Sequence, residues 1–364
     1  MTGPMGVGVI GAGVISETYL TNLTSFPDLR VLSVADLDTA RAAERAAKYG
    51  VPHSGTVAEL LADPAIELVV NLTVPSAHVD VGLAALESGK HVWAEKPLAL
   101  DRQTGRKLLD RARERGLRVA SAPDTVLGAG LQTARRAVDA GRIGTPMSGI
   151  ALFQVPGPER WHPSPEFLFQ LGAGPVLDLG PYYLTALVQL FGPIRRVTAA
   201  GGRARDRRVI ATGPKAGTEF AVEVPTNVSA LVEFDRGGVA QVVLSFDSKL
   251  DRQGFLEITG TDGTAVLPDP NKFTGDTVLH LDDGVETLAA QGHPAERGTG
   301  ALELARSVRA GVPERASGEL AYHVLDAMLA IEESVALGHP VEVASTIDVP
   351  PALPAGWDPH AATL

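Results

Sequence analysis

The chain has no cysteine among its 364 residues. That excludes disulfides, thiolate metal ligands and a cysteine nucleophile, and it fits a cytoplasmic protein. Positive charge is also scarce: 32 Lys and Arg stand against 43 Asp and Glu, a net charge of −11. Nucleic acid, which requires a basic surface, is therefore not an expected partner. The basic cluster Arg203 to Arg208 is broken by Ala204 and Asp206 and reads as a solvated loop. No apolar run approaches the roughly 20 residues that span a bilayer, so no membrane is expected as a partner. The first ten residues, MTGPMGVGVI, lack a basic segment ahead of a long apolar core, and no secretory signal is expected. His280, His293 and His323 are scattered without zinc-site spacing, so no metal is expected. No internal repeat is visible. What remains is 45% hydrophobic and 21% charged, a globular composition with length for two domains.

The most informative stretch present is VGVIGAGVIS, Val7 to Ser16. A strand through Val7, Val9 and Ile10 feeds Gly11-Ala12-Gly13, which predicts a tight turn into a helix. Gly11 makes the turn. Gly13, lacking a Cβ, lets backbone approach a pyrophosphate at the positive helix end, where Val14 and Ile15 follow. Ser16 takes the place of the usual third glycine, so the helix–strand contact must accommodate a small hydroxyl. A second apolar strand (Leu32, Val34, Ala35) ends at Asp36, 20 residues past Ser16, the offset at which a carboxylate reaches an adenosine ribose. The plainer alternative is that Asp36 caps the strand end. Leu37 and Asp38 supply no cation, which favours NAD over NADP, although Arg41 is near enough to turn toward an extra phosphate.

The first 122 residues alternate strands with helical stretches and predict a doubly wound parallel sheet. Predicted strands run from Leu68 to Leu72, His91 to Ala94 and Leu117 to Ala120, with a helix from Asp101 to Arg115. Residues 123–364 form the second predicted domain. From about Met147 the segments SGIALFQV, VTAAGGRAR, VSALVEFD, VAQVVLSFD and FLEITGTDG alternate with period two, which predicts a mostly antiparallel sheet. Gly237-Gly238 and Asp262-Gly263 are hairpin signals. Helices follow from Gly300 to Ala310 and Ser317 to Leu337, and either can pack back on the first domain. The Pro-rich tail is expected to be an extended strap or loose end. One side of the VAQVVLSFD strand carries Val242, Leu244 and Phe246. Residues 241, 243 and 245 face the other way; one of the two sides must meet the domain's helices, and the exposed face of the sheet is expected to bury against a twin chain in a homodimer or homotetramer.

Glu95-Lys96-Pro97 follows a strand, on the sheet edge where ligands bind. An ammonium there can give a proton to a carbonyl or bond a hydroxyl as its hydride leaves. Asp178 and Tyr182 are four residues apart and share a helix face if a helix begins near Asp178. A carboxylate beside Lys96 would hold its charge, and a tyrosine hydroxyl would extend a proton relay. The alternative is that Asp178 caps that helix. Trp161 offers a flat face for stacking on a ring and His162 a hydrogen bond, or else the pair is an anchor with a surface histidine. Asp124 either binds a substrate hydroxyl or caps the next helix. Thr73, Pro75 and His78 form a loop on the same edge, with helix entry the alternative role for His78.

These segments together (GVIGAGVIS, TVPSAH, SGKHVWAEKPLAL and DLGPYYL) resemble the Gfo/Idh/MocA oxidoreductases from Val7 to about Val343. The resemblance implies a Rossmann domain followed by an α/β domain with a large open sheet that commonly mediates oligomer contacts. It further implies hydride exchange between a nicotinamide and a carbon of a small carbohydrate or polyol. Lys96 matches the family's catalytic lysine and Asp178 its acidic partner. Tyr182 stands where many members carry histidine and glucose–fructose oxidoreductase carries tyrosine. With the residues read above, the expected cofactor contacts are Gly11, Gly13, Val14, Ile15, Asp36, Thr73, Pro75, His78, Glu95 and Lys96. With the residues read above, the expected substrate contacts are Lys96, Asp124, Trp161, His162, Asp178 and Tyr182. Other readings are a non-redox enzyme that oxidises its sugar transiently with captive NAD, or a cofactor-binding regulator.

Overall fold

A computed structural model of the chain describes residues 3–294 and 296–364. The chain divides into two compact units. The first comprises residues through Ala129 together with Gly292–Tyr322 and Pro350–Leu364, and the second Gly130–Gln291 with His323–Val349. This differs from a single cut after residue 122, because a late helix and the tail pack on the first unit.

The first unit is built on six parallel strands: β1 (Met5–Ile10), β2 (Leu29–Ala35), β3 (His53–Gly55), β4 (Leu68–Asn71), β5 (His91–Ala94) and β6 (Val119–Ser121). Their spatial order is β3-β2-β1-β4-β5-β6. Its helices are α1 (Ile15–Leu23), α2 (Thr39–Tyr49), α3 (Val57–Ala62), α4 (His78–Glu87) and α5 (Arg102–Glu114). Alternation within the strands sends Val7, Val9, Leu68 and Val70 toward Tyr19, Leu20 and Leu23 of α1. Ile10, Val69 and Val92 face the other way, toward Leu86 of α4 and Leu108 of α5. Both faces are therefore covered, the condition under which a parallel sheet is stable. Local signals set the helix ends. Asp38 caps α2 by accepting from Arg41 N at 3.1 Å, and Gly50 closes it in the left-handed region.

The second unit opens with α6 (Ala129–Asp139), whose first residue belongs to the first unit, and contains α7 (Gly174–Phe191). Its large sheet uses β7 (Pro146–Gln154), β8 (Ile194–Gly202), β11 (Asn227–Phe234), β12 (Val239–Ser245), β13 (Arg252–Gly260), β14 (Gly263–Leu267), β15 (Thr277–Leu281), β16 (Gly284–Leu288) and β17 (Val341–Glu342). The order is β16-β15-β14-β13-β7-β12-β11-β8-β17. β9 (Arg207–Val209) and β10 (Glu219–Ala221) form a separate ribbon. Within the large sheet β12 and β7 run parallel and the other pairs antiparallel. The hairpins at Gly237-Gly238 and Asp262-Gly263 form as the turn residues predict. α7 packs on β7, β11 and β12. Val242, Leu244 and Phe246 are consequently buried inside a single chain. Of the two sides, it is thus the Val242 side that meets a helix, and the face left open is the opposite one, where Ile150, Leu231 and Phe255 are exposed.

The remaining helices are α8 (Thr299–Ala310), in the first unit, and α9 (Gly318–Leu337), which begins in the first unit and continues in the second. α8 lies flush on β5, because Gly300 leaves room for the Trp93 ring; a methyl there would sit 2.0 Å from that ring. The tail is anchored. Asp28 accepts from Thr363 N at 2.8 Å, Leu364 N at 3.0 Å and Arg306 Nε at 2.7 Å. Among the described residues no helix is long and apolar enough to cross a membrane.

Candidate active site

All six strands of the first sheet run parallel, so the loops leaving β1, β2, β4 and β5 share one edge. Gly11 leaves β1 with φ +105°, and a Cβ there would meet the Leu72 carbonyl oxygen at 2.6 Å. Only glycine makes this turn at this separation. Gly13 differs: a Cβ would meet nothing within 4 Å. The space beside Gly13 is thus open at the start of α1, where a helix end favours an anion. Ser16 fits the third-glycine position, being fully buried with its hydroxyl donating to Gly13 O at 2.6 Å.

Asp36 leaves β2 and faces the same turn. Its Oδ2 accepts from Ala12 N at 2.7 Å, and its Oδ1 from Asp38 N and Arg41 at 2.9 Å each. Burial pushes this carboxyl up, but the two amides and the guanidinium outweigh it and hold the group below the ordinary carboxylate range. Asp36 is thus an ionised acceptor at neutral pH; Oδ1 already takes two donors, while Oδ2 takes one and keeps a lone pair for a ribose hydroxyl. Two aliphatic side chains at this edge are bare, Val14 at 90% and Leu37 at 99% exposure, and Val74 is exposed as well. An open cradle at Gly13, an ionised acid at Asp36 and uncovered aliphatic groups around them fit a dinucleotide. Gly11, Gly13 and Asp36 are the residues that would hold one.

The loop after β4 is fixed from within. Thr73 N and Oγ1 both donate to Asn71 Oδ1, at 3.2 and 2.6 Å. Pro75 opens a short 3-10 turn that leads into α4. His78 begins α4 and is buried, with its ring nitrogens 2.8 Å from Pro97 O and 3.0 Å from Thr73 O. Its ring joins two loops at the start of α4, the helix-entry role given as the alternative for it. Asp124 needs a correction. It is 0% exposed and caps α8, accepting from Gly298 N at 2.8 Å and Gly300 N at 3.3 Å, with Arg297 3.6 Å away. It caps the late helix instead of the next one, and a carboxylate so enclosed offers a substrate no surface.

Glu95 and Lys96 follow β5 on the ligand edge, both half-buried. Glu95 Oε1 accepts from Tyr19 Oη at 2.7 Å, and Oε2 from Lys96 N at 3.1 Å. In the second unit, α7 begins four residues before Asp178, so Asp178 is not its N-cap. Asp178 is half-buried in a stretch of α7 whose other residues, from Gly174 to Gln189, are buried; Tyr182 lies one turn on. The i, i+4 spacing places both on one helix face. Trp161 is 67% exposed with its ring on that of His162, centroids 5.5 Å apart, and His162 Nδ1 accepts from Ser164 N. Sequence reasoning missed Tyr19, Asn71, Leu37 and Val74. Leu37 and Val74 could have been found as aliphatic residues placed in loops just past strand ends. Tyr19 gave no signal, because its partner is 76 residues away.

Comparison with known proteins follows the same lines. The family model for the oxidoreductase family with an NAD-binding Rossmann fold matches residues 5–122, and that for the GFO/IDH/MocA C-terminal domain matches residues 131–266. The chain is 28% identical over 270 residues to trans-1,2-dihydrobenzene-1,2-diol dehydrogenase of Mus musculus, covering 71% of this chain and 73% of that protein. It is 27% identical to 1,5-anhydro-D-fructose reductase of Ensifer adhaerens over 92% of this chain and 98% of the relative. Among solved structures, an NAD binding oxidoreductase from Klebsiella pneumoniae superposes with a TM-score of 0.84 at 25% identity, covering 94% of this chain and all of that one. With both halves matched in order and a sheet edge shaped for a dinucleotide, this chain belongs to the Gfo/Idh/MocA family of oxidoreductases.

Proposed function

We propose that the chain is an NAD-dependent dehydrogenase or ketoreductase acting on a secondary hydroxyl or keto carbon of a sugar, glycoside or cyclic polyol, with Lys96 as acid and base. The observation that carries the reading is the placement of Lys96. It leaves β5 on the edge where Gly13 and Asp36 make the dinucleotide cradle, with its backbone N–H fixed by Glu95. The two relatives named above act, by their names, on a cyclic diol and on an anhydro ketose. Both present an oxygen-bearing ring carbon, the feature a lysine proton donor reads.

A bound nicotinamide supplies the hydride acceptor, or the donor in the reverse direction. Lys96 Nζ accepts the hydroxyl proton as the carbinol is oxidised and returns it to the carbonyl oxygen on reduction. Asp178 holds the charge of this exchange, and Tyr182 orients the substrate hydroxyl. Trp161 and His162 supply a ring face and a hydrogen bond to the sugar. Asp36 selects NAD through the ribose diol. The exposed face of the large sheet buries against further copies in a homodimer or homotetramer.

The test is reduced-nicotinamide absorbance with NAD across inositols, free aldoses and glycosides, parent beside Lys96→Ala. A signal on one class that vanishes in the variant is expected. Turnover unchanged in Lys96→Ala would overturn the assignment. Silence from a parent that purifies with NAD attached would favour a non-redox reaction instead.

A further inference from the structure

Tyr19 lies on α1, the helix that begins at the pyrophosphate turn, and is fully buried. Its hydroxyl accepts from Trp93 Nε1 at 3.2 Å and donates to Glu95 Oε1 at 2.7 Å. The second Glu95 oxygen accepts from the backbone N–H of Lys96 at 3.1 Å. One continuous chain of hydrogen bonds therefore runs from the core of the cofactor helix to the peptide bearing the proposed acid/base. Its direction is fixed. Trp93 can only donate, so the phenol accepts from it and turns its own hydrogen to the carboxylate. Burial, with the Glu95 and Asp124 carboxylates nearby, raises the Tyr19 phenol well above its ordinary range and keeps that hydrogen in place.

We propose that Tyr19 and Glu95 form a strut that positions Lys96, coupling the dinucleotide-binding helix to the peptide from which the acid/base projects. This rests on the reading of Lys96 given above. Neither residue need touch substrate or cofactor; they are positioning residues that act through the Lys96 backbone. Misplacement of a reacting group by about 1 Å can cost on the order of 10²-fold in rate, so a strut of this kind shows in turnover before it shows in binding.

The test uses Tyr19→Phe, Glu95→Gln and the double variant. Phenylalanine keeps the ring and removes the hydroxyl. Glutamine fills the same space, yet its amide cannot accept from both the phenol and the Lys96 N–H. Three quantities are measured on the full chain: kcat on a substrate the parent turns over, NADH affinity by fluorescence, and hydrogen exchange at the Lys96 amide by NMR. In each single variant kcat should fall about tenfold or more, a partial loss of positioning, and in Tyr19→Phe NADH affinity should hold within about twofold, since the buried phenol it removes is not a cofactor contact. The Lys96 amide should exchange faster in both, and the double variant should lose no more than the worse single one, as members of one unit do. Losses that multiply, or a Lys96 amide unchanged in Tyr19→Phe, would overturn the strut. If Tyr19→Phe does not fold, Glu95→Gln decides by the same kcat and exchange readings. A parent silent on every substrate counts against the proposed activity alone, and the Lys96 amide in the variants still decides the strut.

Discussion

Asp36 at the end of β2 accepts a hydrogen bond from the backbone N–H of Ala12 at 2.7 Å, which joins the acid proposed to read the ribose to the glycine turn. Its other oxygen pairs with Arg41 at 2.9 Å. The acid proposed to favour NAD therefore also restrains the cation best placed to favour NADP. Asp36→Ser should release Arg41 and remove the charge that repels a 2′-phosphate. Loss of charge-assisted hydrogen bonds worth about 1.5–3 kcal/mol corresponds to roughly a ten- to hundredfold fall in kcat/KM with NAD. NADP should gain, and Asp36→Ser/Arg41→Ala should lose that gain. A cofactor preference unchanged in Asp36→Ser would mean the ribose is read elsewhere.

Gly13 separates folding from cofactor binding. An added methyl meets no protein atom within 4 Å. Gly13→Ala should melt with the parent, yet bind NADH at least about tenfold more weakly, because the methyl stands where phosphate oxygens approach backbone. Equal NADH affinity in the variant would move the pyrophosphate away from this turn. Gly11→Ala, by contrast, should lower the melting temperature itself, since its Cβ would press on Leu72 O at 2.6 Å.

Lys96 and Tyr182 carry unequal parts in the proposed chemistry. Positioned acid–base groups contribute about 10²–10⁴-fold, and that loss is expected in kcat for Lys96→Met. Tyr182→Phe should lower kcat less, because it removes a hydroxyl assigned to orienting the substrate and leaves the proposed acid and base in place. Equal losses in steady-state assays would refute this division.

Asp124 makes stability depend on pH in an unusual direction. Burial, partly opposed by Arg297 and joined by the nearby Glu95 charge, raises its pKa from 3.8 to about 6. Across that interval the folded chain holds a proton that the unfolded chain has released. The group's contribution to stability therefore falls as pH rises through the interval and levels off above it. Asp124→Asn keeps an oxygen for Gly298 N and removes the titration. Its melting temperature should vary less than the parent's between these pH values. Parallel melting curves across that range would show that Asp124 does not titrate there.

The open face of the large sheet predicts assembly. Ile150, Leu231 and Phe255 are exposed on the side away from α7. Light scattering should return the mass of two or four chains, and Leu231→Glu with Phe255→Glu should shift it toward one. A single-chain mass for the parent would exclude the proposed oligomer.

The sequence by itself determined the local features, because their causes are local. The Gly11 turn needs a positive φ, the alternating strands need one covered face, and the strand-end positions of Asp36 and Lys96 follow from where the apolar runs stop. The i, i+4 spacing of Asp178 and Tyr182 needed only a helix, even though that helix starts earlier than Asp178 suggested. Tertiary structure decided what depends on residues far apart in the chain. It gave the Val242 side of β12 to α7, turned Asp124 into the cap of a helix 175 residues later, and closed the ring of His78 between two loops. It also brought Tyr19 to Glu95. A buried carboxyl, imidazole or phenol takes its role from the partner that satisfies it, and no spacing rule links partners 76 or 174 residues apart.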